Sequence, residues 1–487
     1  YATALDEYVA APDPSYKYSV ASIIPGPGCT SYIIDMTSQS WRKSSEVDRT
    51  RWQHWLTVVK PTKVISNKAL LIIEGGSNLR PARKSVDEAL IGLATKSGTV
   101  IAYLSTVPNQ PLTFPDGGGP RYEDGIIAYT FDKYIKTGDE TWPLLLPMVK
   151  SAVRAMDTVQ SHITTVTNGK VNIDGFVVTG ASKRGWTTWL TAAVDRRVIA
   201  IMPIVIDVLN MDESMKHHYS AYGFYSKAVH DYEDMKIFEK LDTPRGQDLI
   251  KIVDPYEYRD RYQMPKFIVN STGDQFFLPD SAQFYFADLP SEKYLRYVPN
   301  TDHGLSGSDA QDSLLAFYAS IVTNSPRPKF TWQIQGNKII VTTVAGVPRQ
   351  VNLWQASNTE ARDFRLETIG PAWRKSTLSP QRDGVYVAEV AEPEKGWTAF
   401  FVELVYDSGG ELPYKFTTQV YVVPDCLPYS YKFGLDQDND VDFADLAVLL
   451  ECWLTTEVSA DIAPLCGDGK IDALDYAFLA AAWHPTN

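Results

Sequence analysis

Residues 176–186 read FVVTGASKRGW, and the reading of this stretch decides the fold. An apolar run from Phe176 leads into Gly180-Ala181-Ser182-Lys183-Arg184-Gly185, and a helical pattern carrying Trp186, Trp189 and Leu190 follows. A strand that turns this sharply into a helix needs small residues at the turn. Such an elbow presents a serine oxygen above the sheet while the next N–H points at a developing oxyanion. Ser182 meets that demand, and the N–H of Lys183 is the matching donor candidate. Arg184 stands where the commoner G-x-S-x-G form has its second glycine, and Gly185 comes one later. Two readings of Lys183 and Arg184 stand side by side: recognition of a substrate carboxylate, with Arg184 as the binding residue, or pairing with neighbouring acids.

Outward from the elbow, short β-branched runs alternate with amphipathic stretches between about Leu70 and Ser320, the pattern of an α/β fold with a mostly parallel sheet. Strands are expected at Ala69–Ile73, Thr99–Leu104, Gly175–Val178, Val198–Ile204, Lys266–Asn270 and Lys293–Val298, and helices at Pro147–Thr164 and Arg184–Val194. The stretch 209–264, rich in Tyr and His, reads either as a lid or as helices on the sheet flank. SPRPK at 325–329 breaks helix propagation and reads as a linker. The expected units are therefore 1–326 as the catalytic domain, 327–425 as an antiparallel, Ig-like β-sandwich, and 426–487 as a small helical module.

A serine hydroxyl needs a base near neutrality, and histidine is the usual supplier. Of seven histidines, His303 lies in VPNTDHGLSG, a polar loop directly after the last candidate strand, where a base reaches the carboxyl edge of the sheet. The imidazole in turn needs a carboxylate to fix its tautomer. Asp274, in FIVNSTGDQFFLPDS after the preceding strand, is favoured; Asp280 reads as a helix cap, and Asp302 is the immediate neighbour of His303. A second oxyanion donor is expected from LLIIEGGSN, where Gly75 and Gly76 leave the backbone bare, so Gly76 or Ser77 supplies the N–H.

The net charge is −13 over 487 residues, and most of the excess lies between Tyr429 and Asn487, where eleven acidic residues face only Lys432 and Lys470. With no basic arm or stripe, nucleic acid and anionic lipid are not expected as partners. No run of some 18 apolar residues appears, so no membrane span is expected. The opening YATALDEYV reads as a processed start, consistent with export to the periplasm, cell surface or medium. Three of the four cysteines, Cys426, Cys452 and Cys466, fall near the C-terminus, where a disulfide or free thiols are both compatible with the spacing.

LLIIEGGSN, RYEDGIIAYTFDKY, TGASKRGWTTWL, NSTGDQFFLPD and DHGL, in this order, resemble the PhoPQ-activated pathogenicity-related family over roughly Met36 to Val423. That resemblance implies an exported α/β-hydrolase fold followed by a β-rich domain. The elbow with a basic residue after serine is also locally similar to that of glucuronoyl esterases, which act on uronic acid esters. In the tail, GLDQDNDVDFADLAVLLECW and LCGDGKIDALDYAFLAAAW are similar to the paired repeats of a dockerin type I module. By that resemblance Asp436, Asp438, Asp440 and Asp445 in one repeat, and Asp468, Asp472 and Asp475 in the other, are candidate ligands for structural calcium. A cohesin-like surface protein is the implied partner. No cofactor is expected for catalysis. The resulting expectation is a serine hydrolase acting on carboxylic esters. A peptidase with the same triad and a non-catalytic surface assembly protein are the alternatives.

Overall fold

The computed structural model describes residues 2–429, 434–436, 441–454, 460–463 and 470–483. Its strands are β1 (Lys17–Gly26), β2 (Cys29–Ser40), β3 (Arg51–Pro61), β4 (Lys68–Ile73), β5 (Val100–Leu104), β6 (Leu112–Thr113), β7 (Pro120–Arg121), β8 (Gly175–Ala181), β9 (Val198–Ile204), β10 (Lys266–Ser271) and β11 (Lys293–Val298), continuing with β12 (Lys329–Gln335), β13 (Lys338–Ala345), β14 (Gln350–Asn358), β15 (Arg374–Thr377), β16 (Val385–Glu389), β17 (Trp397–Tyr406), β18 (Tyr414–Thr417) and β19 (Tyr421–Val423). The helices are α1 (Ala4–Ala10), α2 (Glu88–Ser97), α3 (Glu123–Thr137), α4 (Leu145–Val166), α5 (Lys183–Val194), α6 (Met211–Tyr222), α7 (His230–Asp234), α8 (Ile237–Lys240), α9 (Pro244–Val253), α10 (Ala310–Thr323), α11 (Leu366–Ile369), α12 (Phe443–Glu451) and α13 (Ala473–Ala481).

Six strands run parallel in the order β5-β4-β8-β9-β10-β11. They are apolar on both faces, as a sheet covered on both sides requires. On β8, Phe176 and Val178 enter one core with α4 and α5, while Val177 enters the other with α2 and α10. The architecture is α/β-hydrolase-like, with a mixed, partly parallel sheet. All six carboxyl ends open on one edge, where β4, β5 and β8 reverse the strand order and a crevice forms.

Three expectations need correction, the first being the mostly parallel sheet. β1, β2 and β3 form an antiparallel extension at the N-terminal side, which hydrophobic alternation did not announce because β2 buries Ser31, Thr37, Ser38 and Gln39. The boundary at 326/327 does not separate two cores. β18 pairs antiparallel with β11, and β17, β14, β15 and β19 continue the same sheet, while β12, β13 and β16 form a three-stranded layer packed on its face. An antiparallel two-layer arrangement is thus present, but its larger layer is the central sheet itself. Asp280 is a further correction: instead of capping a helix, its buried carboxylate accepts from Arg362 Nη2 at 2.7 Å and lies 3.0 Å from His217 Nε2. That cluster joins α6 to the segment before α11.

Segment 209–264 is helical and lies over the carboxyl edge: α6, α7 and α8 supply Met211, Met215, Tyr232, Ile237 and Phe238 to the wall of the crevice. Cys426 is disulfide-bonded and Cys29 is a buried thiol. Among the described residues no helix is long and apolar enough to cross a membrane.

Candidate active site

The turn between β8 and α5 places Ser182 at φ 56°, ψ −126°. A side chain pays roughly 1–3 kcal/mol to sit in such a conformation, and it persists only where the surroundings enforce it. They do so here: the Ser182 N–H donates to Ile204 O at 2.8 Å, and Trp186 N–H returns to Ser182 O at 2.9 Å. A Cβ on Gly180 would stand 2.7 Å from Arg184 O. One on Gly185 would meet Ile206 Cγ2 at 2.9 Å and the carbonyls of Gly180 and Ile204 at 3.0 Å. The close approach that a second glycine permits is therefore made at Gly185, and Arg184 is free to carry a side chain.

Asp274 follows β10 and His303 follows β11, so both stand on the same sheet edge as Ser182. His303 Nδ1 lies 2.8 and 2.9 Å from the two Asp274 oxygens. Asp274 is buried and also accepts from the Phe276 N–H at 2.8 Å, while Gln275 Oε1 takes the His303 N–H at 3.0 Å. With Nδ1–H donating to the carboxylate, Nε2 is left as the acceptor. Nε2 is buried and forms no hydrogen bond, to Ser182 Oγ or any other group. The imidazole packs on Phe276 and Phe277, at centroid separations of 4.4 and 6.1 Å, and those two rings line a cavity with Ser182. Asp302 turns away and accepts from the Gly304 N–H.

The glycine loop after β4 lies beside the elbow, since Ile73 pairs with Gly180. Gly75 O accepts from Thr106 N–H at 2.9 Å and Gly76 O from Gln110 Nε2 at 3.0 Å. Among the described residues, the N–H groups of Gly76 and Ser77 find no acceptor.

Both cations after Ser182 are paired. Arg184 donates to Glu123 with Nη1 and Nη2 at 2.7 and 2.6 Å, and Nε reaches Val107 O at 2.7 Å. The fork expected to take a substrate carboxylate is closed on a carboxylate of the protein. Burial pushes the Glu123 carboxyl up, but the Arg184 bonds and charge outweigh it and hold Glu123 below the ordinary range. Lys183 Nζ lies 2.7 Å from Asp124, and Tyr232 Oη of α7 donates to that same carboxylate at 2.8 Å. Glu123, Asp124, Gln110 and Tyr232 carry no motif of their own; only α3's start, with two acids in RYED, offered a signal. At the end of β9, Asp207 is wholly buried and accepts from Tyr285 and Tyr297 at 2.6 Å each; burial raises its carboxyl to about 7, against the two tyrosine bonds.

The cavity beside Ser182 is small, about 40 Å³, and its wall is mostly apolar, with Trp186, Phe238, Phe276 and Phe277 prominent.

A family model described as PhoPQ-activated pathogenicity-related protein matches residues 5–365. The chain belongs to the PhoPQ-activated pathogenicity-related protein family. A relative, autocrine proliferation repressor protein A of Dictyostelium discoideum, is 38% identical over 458 residues, which covers 88% of this chain and 92% of that protein. Among solved structures, acetyl xylan esterase 1 from Thermoanaerobacterium sp. JW/SL YS485 aligns at 14% identity and TM-score 0.46, covering 66% of this chain and 91% of that one. The glucuronoyl esterase from Solibacter usitatus aligns at 14% and 0.35, with the same coverages. At this distance neither says anything of the PhoPQ-related chain's substrate.

The tail holds a different set of acids. Asp445 accepts the N–H groups of Leu435, Asp436 and Asp442, and Asp475 those of Ile462, Ala463 and Asp472, and each closes a capping box at the start of its helix. Asp472 is the N-cap of α13. Both carboxylates thus serve as acceptors at the helix starts, and among the described residues no group of three or more His, Cys, Asp or Glu side chains is arranged to hold a metal. Asp438, Asp440 and Asp468 lie outside the described residues.

Proposed function

We propose that this protein is a serine hydrolase of carboxylic esters, in which Ser182 attacks the acyl carbon, His303 Nε2 takes the serine proton, and Asp274 holds the imidazole in the required tautomer. The observation that carries the reading is the strained backbone of Ser182, on the same sheet edge as an imidazole whose Nδ1 is fixed by a buried carboxylate and whose Nε2 is unpartnered. The N–H groups of Lys183 and of Gly76 or Ser77 receive the negative charge of the tetrahedral intermediate. His303 then returns the proton to the leaving alcohol, and water repeats the sequence to release the acid. The apolar wall of Phe276, Phe277 and Phe238 favours an acyl group without charge at this position, which argues against a free carboxylate beside the scissile bond.

Kinetics on acyl, glucuronoyl and aminoacyl chromogenic substrates test the proposal. Turnover of an acyl ester that Ser182→Ala abolishes is the expected result; turnover of aminoacyl amides alone would make the protein a peptidase. No turnover at all would favour a catalytically silent surface protein. That second reading draws on one observation, the name of the Dictyostelium relative, which describes a repressor of proliferation and names no reaction.

For the tail, the proposed role is docking to a cohesin-like surface protein of an exported chain, with calcium bound by the acidic loops. Its support is the dockerin-like repeat and the exposed Phe443, Leu450, Leu454 and Tyr476 on so small a module. Calorimetric titration with calcium chloride, followed by cohesin binding with and without chelator, decides it; no heat and no capture remove both claims.

A further inference from the structure

We propose that Gln110 is a positioning residue for the oxyanion site: it holds the peptide plane between Gly76 and Ser77 so that the Ser77 N–H faces the substrate's acyl oxygen. The inference rests on the serine-hydrolase reading above. In a trans peptide the carbonyl and the following N–H point in opposite directions, so whatever fixes Gly76 O also aims Ser77 N–H. Gln110 Nε2 is what fixes it, at 3.0 Å. The loop needs such a hold because Gly76 sits at φ 141° and belongs to no helix or strand.

The orientation of the Gln110 amide is itself determined. Its Oε1 accepts the N–H of Glu123, the first residue of α3, at 2.8 Å, and its Nε2 also donates to Glu123 Oε1 at 2.6 Å. A flipped amide would set donor against donor and acceptor against two acceptors. Glu123 is in turn held by Arg184, two residues beyond Ser182. One network, buried at Arg184 and Gln110 and half-buried at Glu123, therefore links the nucleophile's helix, the start of α3 and the donor loop, and Gln110, 4% exposed, is its last side chain before the backbone donor. This also gives Arg184 a use that the two readings of the elbow sequence left out.

Wild type, Gln110→Met and Ser182→Ala are compared on 4-nitrophenyl acetate, with active sites counted by fluorophosphonate titration. Loss of one oxyanion donor costs about 100- to 1,000-fold in kcat, and a misaimed donor less. The expected result for Gln110→Met is a fall of about 10- to 100-fold in kcat per titrated site with KM within twofold, and an equal fall in affinity for a trifluoromethyl ketone, whose hemiketal oxygen carries the same charge. A purely structural role would lower the number of titrated sites and leave turnover per site unchanged, and that outcome overturns the proposal. If Ser182→Ala is inactive while Gln110→Met retains kcat within twofold, this proposal alone fails; if Ser182→Ala remains active, the serine reading fails first. Should Gln110→Met not fold, Gln110→Asn, which keeps the amide but is too short for Gly76, is held to the same outcomes.

Discussion

A Cβ on Gly75 would stand 2.0 Å from Arg184 Nη2, so the guanidinium fills the space that the missing side chain leaves. The tip of an arginine ordinarily moves aside, but this one is held by Glu123 and Val107 O.

Gly75→Ala is accordingly expected to break the Arg184–Glu123 pair. Arg184 is buried but Glu123 is about a third exposed, so the loss is expected below that of a fully buried pair, about 1–3 kcal/mol. Urea unfolding measures that loss, and ester turnover should fall at the same time because the donor loop is displaced. An alanine variant with unchanged stability and turnover would show that Arg184 has room to move.

Arg362 and Asp280 bind the region after residue 326 to the parallel sheet. Arg362→Met leaves the Asp280 carboxylate to His217 alone, whereas Arg362 and His217 together keep it far below the ordinary range against the burial that raises it. A loss of about 3–5 kcal/mol is expected, in one cooperative transition for residues before and after 326. Two separate transitions, with the second alone shifted, would restore the independent sandwich.

Asp207 gives a pH dependence. Its folded value, about 7, lies above the unfolded value near 4, so the folded state binds the extra proton between them. Stability from this group is complete below about pH 4 and is lost as pH rises through 7. Asp207→Asn removes that slope: the variant should match wild type near pH 4 and exceed it at pH 8 by up to about 4 kcal/mol. Chemical unfolding at the two pH values checks the difference, and a constant offset would contradict it.

Asp274→Asn leaves the His303 site filled but favours the wrong tautomer. A fall of about 10,000-fold in kcat with little change in KM is expected from steady-state kinetics. Retention of a tenth of the activity would mean that another carboxylate orients His303.

The parallel strands and the elbow were legible because a sheet buried on both faces needs continuous apolar runs, and a strand entering a helix needs glycine. β9 and β11 run over the residues that periodicity indicated, and the chain order Ser182, Asp274, His303 follows from where those strands end. The N-terminal hairpin was hidden by buried Ser38 and Gln39, whose polarity is satisfied across the core by Ser151 and Pro147 O. Nor does sequence show which partner a charge has: Arg184 and Glu123 are 61 residues apart, and their pairing appears only in three dimensions. The sandwich boundary was misplaced for a similar reason, because hydrophobic alternation identifies strands without identifying the sheet edge they join.

Ser182 is tested most directly by incubating the folded chain with a fluorophosphonate and locating the adduct by peptide mass spectrometry. One adduct is expected, on Ser182, lost in Ser182→Ala and strongly slowed in His303→Ala. Absence of labelling in folded wild type, or an adduct on a different serine, would contradict it.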